Sequence, residues 1–241
     1  SLAKEKAEQS DKLKTEFLAQ MSHEIRSPMN AIISFANILK EEFEEKVTPE
    51  LKEYFDGIDS AGNRLMRTVD LMLNTSEMQV GTYVPFFVKV KLISEILDNV
   101  KSDYSKLILD KGLEFSFTSD VPEAVVDVDK YSIKQVFVNL IDNAFKYTKT
   151  GSISVKVERN KDMKFVKVTI EDTGIGMTEE FMTRMYKPFI QEDGGYSRRF
   201  EGNGLGLSLV KIYCELNKIE INVESKKGIG TKFTLLFAES K

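Results

Sequence analysis

Residues 20–29, Gln-Met-Ser-His-Glu-Ile-Arg-Ser-Pro-Met, contain the only histidine of the chain, His23, followed directly by Glu24. A neutral imidazole is a competent nucleophile when a carboxylate can orient or accept the proton on its other nitrogen. Glu24 is the nearest candidate for that task. The competing reading is a surface histidine of no consequence, and position alone favours it. Three other segments carry chemistry of a different kind. Glu-Asp-Thr-Gly-Ile-Gly-Met (171–177) sets Asp172, Gly174 and Gly176 directly after strand-like sequence. Glu-Gly-Asn-Gly-Leu-Gly-Leu (201–207) sets Gly202, Gly204 and Gly206, interleaved with Leu205, directly before helical sequence. Glycines at such points let backbone N–H groups approach an anion, and the start of a helix adds a favourable dipole. Asn-Leu-Ile-Asp-Asn-Ala-Phe-Lys-Tyr-Thr (139–148) aligns Asn139, Asn143 and Lys146 on one helical face. Two amides and an ammonium suit a polyphosphate bound with Mg²⁺, a hard cation that takes few protein oxygens. Between the glycine segments a polar stretch (192–203) includes Arg198 and Arg199, which either reach a phosphate or are a solvated pair.

Two kinds of element must position these residues. Leu18, Met21, Ile25, Pro28, Ile32, Phe35 and Leu39 recur at steps of three and four, the a/d seam of a helical bundle. Thr48 as N-cap and Pro49 at the first helical position open a second helix. Leu51, Phe55, Ile58, Gly62, Leu65, Val69 and Met72 form its apolar stripe. A short loop between two such helices makes an antiparallel hairpin, which cannot bury its seam alone. Pairing of two copies into a four-helix bundle would bury it, so a homodimer is expected, with Ile25, Ile32, Leu65 and Val69 inside. On this seam His23 takes position f, facing solvent. Pro28 would also clash with the carbonyl of Glu24, four residues before it, next to the exposed His–Glu pair.

Past Gly81 and Pro85 short β-rich runs alternate with helices. Strands are expected at 86–90, 113–117, 124–128, 152–158, 165–171, 219–225 and 230–237. Helices are expected at about 92–110, 131–147 and 205–216. The fold class is α+β: a hairpin domain (1–78), a linker (79–85), and a second domain (86–241) with helices on one face of a mixed sheet.

Composition sets outer bounds. With 34 Lys+Arg against 38 Asp+Glu the net charge is −4, so no electrostatic footprint for nucleic acid exists. One cysteine, Cys214, excludes an internal disulfide framework and suits a reducing, cytoplasmic setting. No apolar run approaches the ~20 residues that span a bilayer, so no membrane contact is expected of this segment. The chain starts at Ser1 on charged helical sequence and reads as part of a longer protein, whose parent could be membrane-anchored.

Taken together, the motifs resemble the transmitter core of two-component sensor histidine kinases. That core is a dimerisation and histidine-phosphotransfer hairpin followed by a Bergerat-type ATP-binding α/β sandwich. Phe-Leu-Ala-Gln-Met-Ser-His-Glu-Ile-Arg-Ser-Pro-Met-Asn-Ala-Ile (17–32) looks like the H-box and 139–148 the N-box. Residues 171–177 look like the G1 box, Tyr-Lys-Pro-Phe (186–189) the F-box and 202–207 the G2 box. All five stand in the expected order and cover essentially the whole chain. The resemblance implies that His23 accepts the γ-phosphoryl of ATP, with Glu24 as its base, and passes it to an aspartate of a response-regulator receiver domain. It implies that Asn143 ligates Mg²⁺ with Asn139 beside it, that Lys146 meets phosphate and that Tyr147 packs near the nucleotide. Asp172 would accept from the adenine amino group, Gly174 and Gly176 would shape the adenine pocket, and Thr231 would reach adenine through water. Gly202, Gly204 and Gly206 would form the hinge and phosphate end of a lid.

The sequence departs from the family pattern at Gln20, Ser27 and Asn203. Ser27 stands where the family usually has Thr or Asn to orient a water that dephosphorylates the partner. Slow reversal is therefore expected. Two rivals remain open from sequence. The gyrase, mismatch-repair and heat-shock chaperone ATPases share the nucleotide fold but use a glutamate where this chain has Asn139, and an amide is no general base. A non-catalytic dimer module is the other, and failure to bind ATP would reveal it.

Overall fold

The computed structural model describes residues 2–43, 48–159, 165–192 and 204–240. Of the expected site residues, Arg198, Arg199, Gly202 and the imidazole of His23 lie outside the described residues. The chain divides into two compact units, Ser1–Val84 and Pro85–Lys241.

The first unit is a helical hairpin. Helix α1 spans Leu2–Glu42 and carries Pro28 inside it. Helix α2 spans Pro49–Val80 and starts as its sequence dictates: the Thr48 hydroxyl accepts from the Leu51 N–H and Pro49 occupies the first turn. It runs to Val80 and stops on Gly81, whose left-handed backbone (φ 73°) lets the cap N–H reach the carbonyls of Glu77 and Met78. The helices pack tightly at Gly62, where an added methyl would meet Ile33 at 2.8 Å. Nearer the start of α2's last third, Arg26 donates to Asp70 across the pair at 2.6 Å. Ala36 is buried on the same face of α1 as Met29 and Ile33. On α1 the residues that hold the hairpin together are offset from the expected seam, whereas on α2 the contact uses Gly62 of the expected stripe. Much of the seam stays open: Ile32 is 50% and Phe35 66% exposed, and Leu39, Leu51, Ile58, Leu65 and Met72 are exposed as well.

The second unit is a two-layer α+β sandwich. Strands β1 (Phe87–Lys91) and β3 (Val125–Asp129) form an antiparallel ribbon of their own. The main sheet has the order β2 (Glu114–Ser119), β4 (Ser152–Arg159), β5 (Phe165–Asp172), β7 (Gly230–Ala238), β6 (Glu220–Lys226). Among the described residues of this sheet only the β2–β4 pair is parallel; the remaining neighbours are antiparallel. Alternate residues Ile153, Val155 and Val157 of β4 and Phe233, Leu235 and Phe237 of β7 are buried, so one face of the sheet builds the core.

Helices cover that face. Five π-helical residues, Ile93–Leu97, lead into α3 (Asp98–Asp110). The Glu123 carboxylate accepts from Ile93 N–H and Ser94 N–H where this segment begins. Helix α4 (Lys130–Tyr147) buries Ile133, Val136, Phe137, Leu140, Ile141 and Ala144, and Phe137 stacks on Phe237 of β7 at 6.0 Å. Its N-cap is Asp129, which accepts from the Ser132 N–H at 2.7 Å. A short α5 (Glu179–Met182) and then α6 (Gly206–Leu216) complete the layer. The buried Asn217 accepts from Asp129 N–H and donates to Ser132 Oγ and to the Tyr213 carbonyl, joining the end of α6 to the start of α4. This polar knot sets the relative position of the two helices that the site uses.

Candidate nucleotide and phospho-acceptor sites

Helix α4 carries three of the residues expected to bind nucleotide, Asn139, Asn143 and Lys146. Asn139 is buried, donates to the Gln135 carbonyl, and directs its amide oxygen toward the start of α6. A methyl added to Gly206 would stand 3.2 Å from that oxygen, so the first turn of α6 lies against Asn139. Leu205, at the N-cap of α6, has no side-chain oxygen to offer the helix's leading N–H groups. That leaves the turn suited to an anion. Asn143 and Lys146, one and two turns further along α4, are half-buried, and the Lys146 ammonium sits 5.2 Å from the centre of the Tyr147 ring.

The far end of α4 meets the loop after β5. The Ile175 N–H donates to the Tyr147 carbonyl at 3.2 Å. A methyl on Gly174 would stand 2.6 Å from that same carbonyl oxygen, 2.8 Å from Asp172 Oδ1 and 2.9 Å from Thr148 Oγ1. Only glycine permits this approach. Lys111, from the turn after α3, secures the end of α4: its ammonium donates to the carbonyls of Phe145 and Thr148 and rests 4.4 Å from the Phe145 ring. A cation on the last carbonyls of a helix also complements its dipole.

Asp172 ends β5 and is half-buried. Burial pushes its carboxyl up to about 6, against the pull of the backbone N–H groups of Gly174 and Thr231 and with a small upward push from Glu171. The Gly174 N–H donates to Oδ1 at 2.8 Å, which fixes the carboxylate's rotamer. The buried Thr231 of β7 is its direct cross-strand neighbour. Gly176 has φ 60° and packs against the main chain of Lys226. The β6–β7 turn is fastened to this loop by Gly228 N–H donating to the Ile175 carbonyl at 2.7 Å.

Described residues on either side of the segment 193–203 are bonded to one another. The Phe189 N–H donates to the Gly204 carbonyl at 3.0 Å, with both residues in left-handed backbone (φ 64° and 69°). Just before the segment, Glu192 accepts from Thr178 N–H and from the Lys227 ammonium, bonds that outweigh its burial and hold its carboxyl below the ordinary range.

The structure therefore sets Asn139 against Gly206 at one point of α4 and Tyr147, Gly174, Asp172 and Thr231 together at its end, with Asn143 and Lys146 on the helix between them. His23 and Glu24 lie on α1, in the other unit. Gln20 donates to Glu24 at 3.2 Å, and Glu24, Ser27 and Pro28 are exposed. Sequence reasoning missed Lys111, Glu192, Lys227 and Ser225. The last of these was within reach, because a hairpin of 219–225 with 230–237 sets Ser225 opposite Thr231.

Comparison with known proteins agrees with this geometry. Residues 128–241 match the family described as histidine kinase-, DNA gyrase B- and HSP90-like ATPase, and residues 13–81 match the His Kinase A (phospho-acceptor) domain. An uncharacterized sensor-like histidine kinase of Rhizobium meliloti is 35% identical over 228 residues, covering 93% of this chain and 43% of that protein. The signal transduction histidine-protein kinase BarA of Escherichia coli K12 is 34% identical over 237 residues, covering 96% of this chain and 25% of that protein. The chain spans less than half the length of these curated relatives. Among solved structures, full-length ShkA in complex with AMPPNP superposes with TM-score 0.71 at 25% identity, over 93% of this chain and 46% of that one. ThkA in complex with the response regulator protein TrrA shares the fold at TM-score 0.61 and 22% identity, over 98% of this chain and 66% of that one. The ATP-binding match alone spans kinases, gyrase and chaperones; the phospho-acceptor match decides among them. The chain belongs to the two-component sensor histidine kinases, with the phospho-acceptor hairpin and the ATP-binding domain of their transmitter core.

Proposed function

We propose that this chain transfers the γ-phosphoryl of ATP to His23 and then to an aspartate on a receiver domain. The observation that carries this reading is the junction of α4 with the loop after β5, where glycine alone fits between Tyr147 and a rotamer-locked Asp172. A carboxylate acceptor fixed in one rotamer suits a flat heterocycle that bears an amino group. Asp172 takes the adenine amino group, Gly174 and Gly176 shape the adenine pocket, Tyr147 borders it, and Thr231 lies beside Asp172. Lys146 meets phosphate, and the α6 start (Leu205, Gly206) with Gly202, Gly204, Arg198 and Arg199 supplies the phosphate end.

Mg²⁺ fits the donor set. The Asn143 carboxamide is a single hard oxygen near the phosphate end, and this ion takes most of its remaining ligands from phosphates and water. When bound, it neutralises charge on the phosphates; Asn139 supports the neighbouring helix start. On the hairpin, an imidazole nitrogen of His23 attacks the γ-phosphorus as the bond to the ADP oxygen breaks. Glu24 takes the proton from the other ring nitrogen, so the imidazole ring of the product stays neutral, its phosphoryl keeps its negative charge, and the carboxyl is protonated.

The open seam of Ile32, Phe35, Leu39, Leu65 and Met72 supports a homodimer formed by the hairpin domain (1–78), with 79–85 linking it to the ATP domain (86–241). Among the described residues no helix is long and apolar enough to cross a membrane. We place the reaction in the cytoplasm, where ATP and receiver domains occur together.

The onward step is tested by chase. Protein labelled from γ-labelled ATP is freed of nucleotide and mixed with receiver domains from the same genome. Label is expected to leave the kinase rapidly for one receiver and to decay slowly there, because the Ser27 hydroxyl is a poor water anchor. Ser27→Thr should hasten that decay. Label that no receiver accepts overturns the onward step, and rapid decay with the unaltered protein overturns the role given to Ser27.

A further inference from the structure

Asp172, Thr231 and Ser225 are direct partners across three adjacent strands, Asp172 opposite Thr231 on β5 and β7, and Thr231 opposite Ser225 on β7 and β6. Directly opposed residues project from the same face of a sheet, so the three side chains form one polar row at the end of the nucleotide site. Ser225 is the hub of that row. Its Oγ accepts from the Met177 N–H at 2.8 Å, donates to the Gly230 carbonyl at 2.9 Å, and lies 2.9 Å from Thr231 Oγ1.

A hydroxyl has one proton and two lone pairs. At Ser225 the Met177 N–H occupies one lone pair. The Gly230 carbonyl, which can only accept, takes the proton. One lone pair remains for the contact with Thr231, so in that contact Thr231 must be the donor. The Thr231 proton is thereby turned along the row, away from Asp172. What Thr231 offers beside Asp172 is an oxygen with lone pairs only. The ionised carboxylate of Asp172 is likewise an acceptor without a donor.

We propose that Ser225 is a specificity-determining positioning residue: by consuming the Thr231 proton it makes this end of the pocket wholly accepting, so that it takes a purine bearing an amino group and rejects a 6-oxo purine. An unconstrained threonine would not discriminate, since its hydroxyl rotates to donate to a carbonyl as readily as it accepts from an amine. Held by Ser225 and meeting the base edge directly, rather than through the water that the family resemblance implies, it confronts the oxygen of a 6-oxo purine with lone pairs, and that group stays unpaired on leaving water. Sites built to hydrogen-bond one group reject an analogue that lacks it strongly, because their own polar atoms are then stranded. This inference rests on the nucleotide reading above and adds to it a residue that does not itself touch the base.

The test compares two nucleotides that differ at the 6-position. Dissociation constants for Mg²⁺-ATP and Mg²⁺-ITP are measured by calorimetry on the full chain, Ser225→Ala and Ser225→Thr. In the parent ATP should bind far more tightly than ITP. Ser225→Ala should narrow the ITP-to-ATP ratio by roughly tenfold, because the freed Thr231 hydroxyl can donate to the 6-oxo group. Ser225→Thr keeps a hydroxyl at the hub and should keep the parent ratio. A general loosening of the loop at Met177 would weaken both nucleotides alike, and an unchanged ratio in Ser225→Ala overturns the proposal. If Ser225→Ala does not fold, Thr231→Val removes the same directed oxygen and should also narrow the ratio; no change there overturns the proposal equally. A parent that binds ATP while the variants leave the ratio intact refutes the role of Ser225 alone. A parent that binds neither nucleotide refutes the nucleotide reading beneath it.

Discussion

Asp172→Ala weakens Mg²⁺-ATP binding by roughly 10- to 150-fold, the equivalent of about 1.5–3 kcal/mol for losing a hydrogen bond to a charged acceptor. The effect falls on binding because Asp172 is the last residue of β5, and the strand pairing there runs through main-chain bonds that alanine keeps, although its carboxylate also accepts from the Thr231 N–H. Its hydrogen bond from Gly174 is local, and the neighbouring glycine contacts remain. The same carboxyl gives the site a pH dependence whose sign follows from its protonation. Burial raises it to about 6, and an amino group can donate only to the ionised form. Binding below pH 6 must therefore expel a proton, so the dissociation constant rises as pH falls through about 6, approaching tenfold per unit. Asp172→Asn, which has no proton to lose, should bind weakly and lack that slope. Calorimetry from pH 5 to 8 reads both effects. ATP binding by Asp172→Ala at the parent's strength would remove Asp172 from the adenine contact.

Gly176→Ala is expected to cost the ATP-binding unit about 2–4 kcal/mol and to abolish measurable nucleotide binding. A methyl there would stand 2.0 Å from the Lys226 carbonyl oxygen and 2.6 Å from its carbon, both main-chain atoms that cannot swing aside. The left-handed backbone at φ 60° adds strain for any residue with a Cβ. Relief requires the β6–β7 turn to part from the loop after β5, breaking the bond from Gly228 to Ile175. For a unit of this size the loss lowers the melting temperature by roughly 5–15 °C. Gly57→Ala is the matched control. It lies within α2 with no atom within 4 Å of an added methyl, so alanine should be neutral or stabilising by up to ~1 kcal/mol. Thermal unfolding of both variants, each with and without Mg²⁺-ATP, checks the contrast.

What could be read in advance divides along a physical line. Helix and strand positions were legible because their periods differ, and the Thr48–Pro49 start was legible because N-cap chemistry is local. The five boxes were legible because each compresses one contact into a few adjacent residues. The parallel pairing of β2 with β4 and the separate β1–β3 ribbon were not, since strand order depends on which surfaces α3 and α4 cover. The π-helical entry to α3 was also hidden: it depends on Glu123, some thirty residues later, reaching Ile93 and Ser94. Lys111 looks like a turn lysine until Phe145 and Thr148 turn their carbonyls toward it. The heptad assignment found the stripe left open on the hairpin. It did not find the inner face of α1 at Met29, Ile33 and Ala36, which packs on the stripe of α2 at Gly62, the smallest residue of that stripe.

The central claim is that His23 receives a phosphoryl group from ATP. The direct measurement is incubation with Mg²⁺ and γ-labelled ATP, followed by acid and alkali treatment of the labelled chain and of His23→Ala. The account predicts label in the parent that survives alkali and is lost in acid, as a phosphorus–nitrogen bond requires, and no label in His23→Ala. Label that persists through acid, or that remains when His23 is replaced, would contradict it.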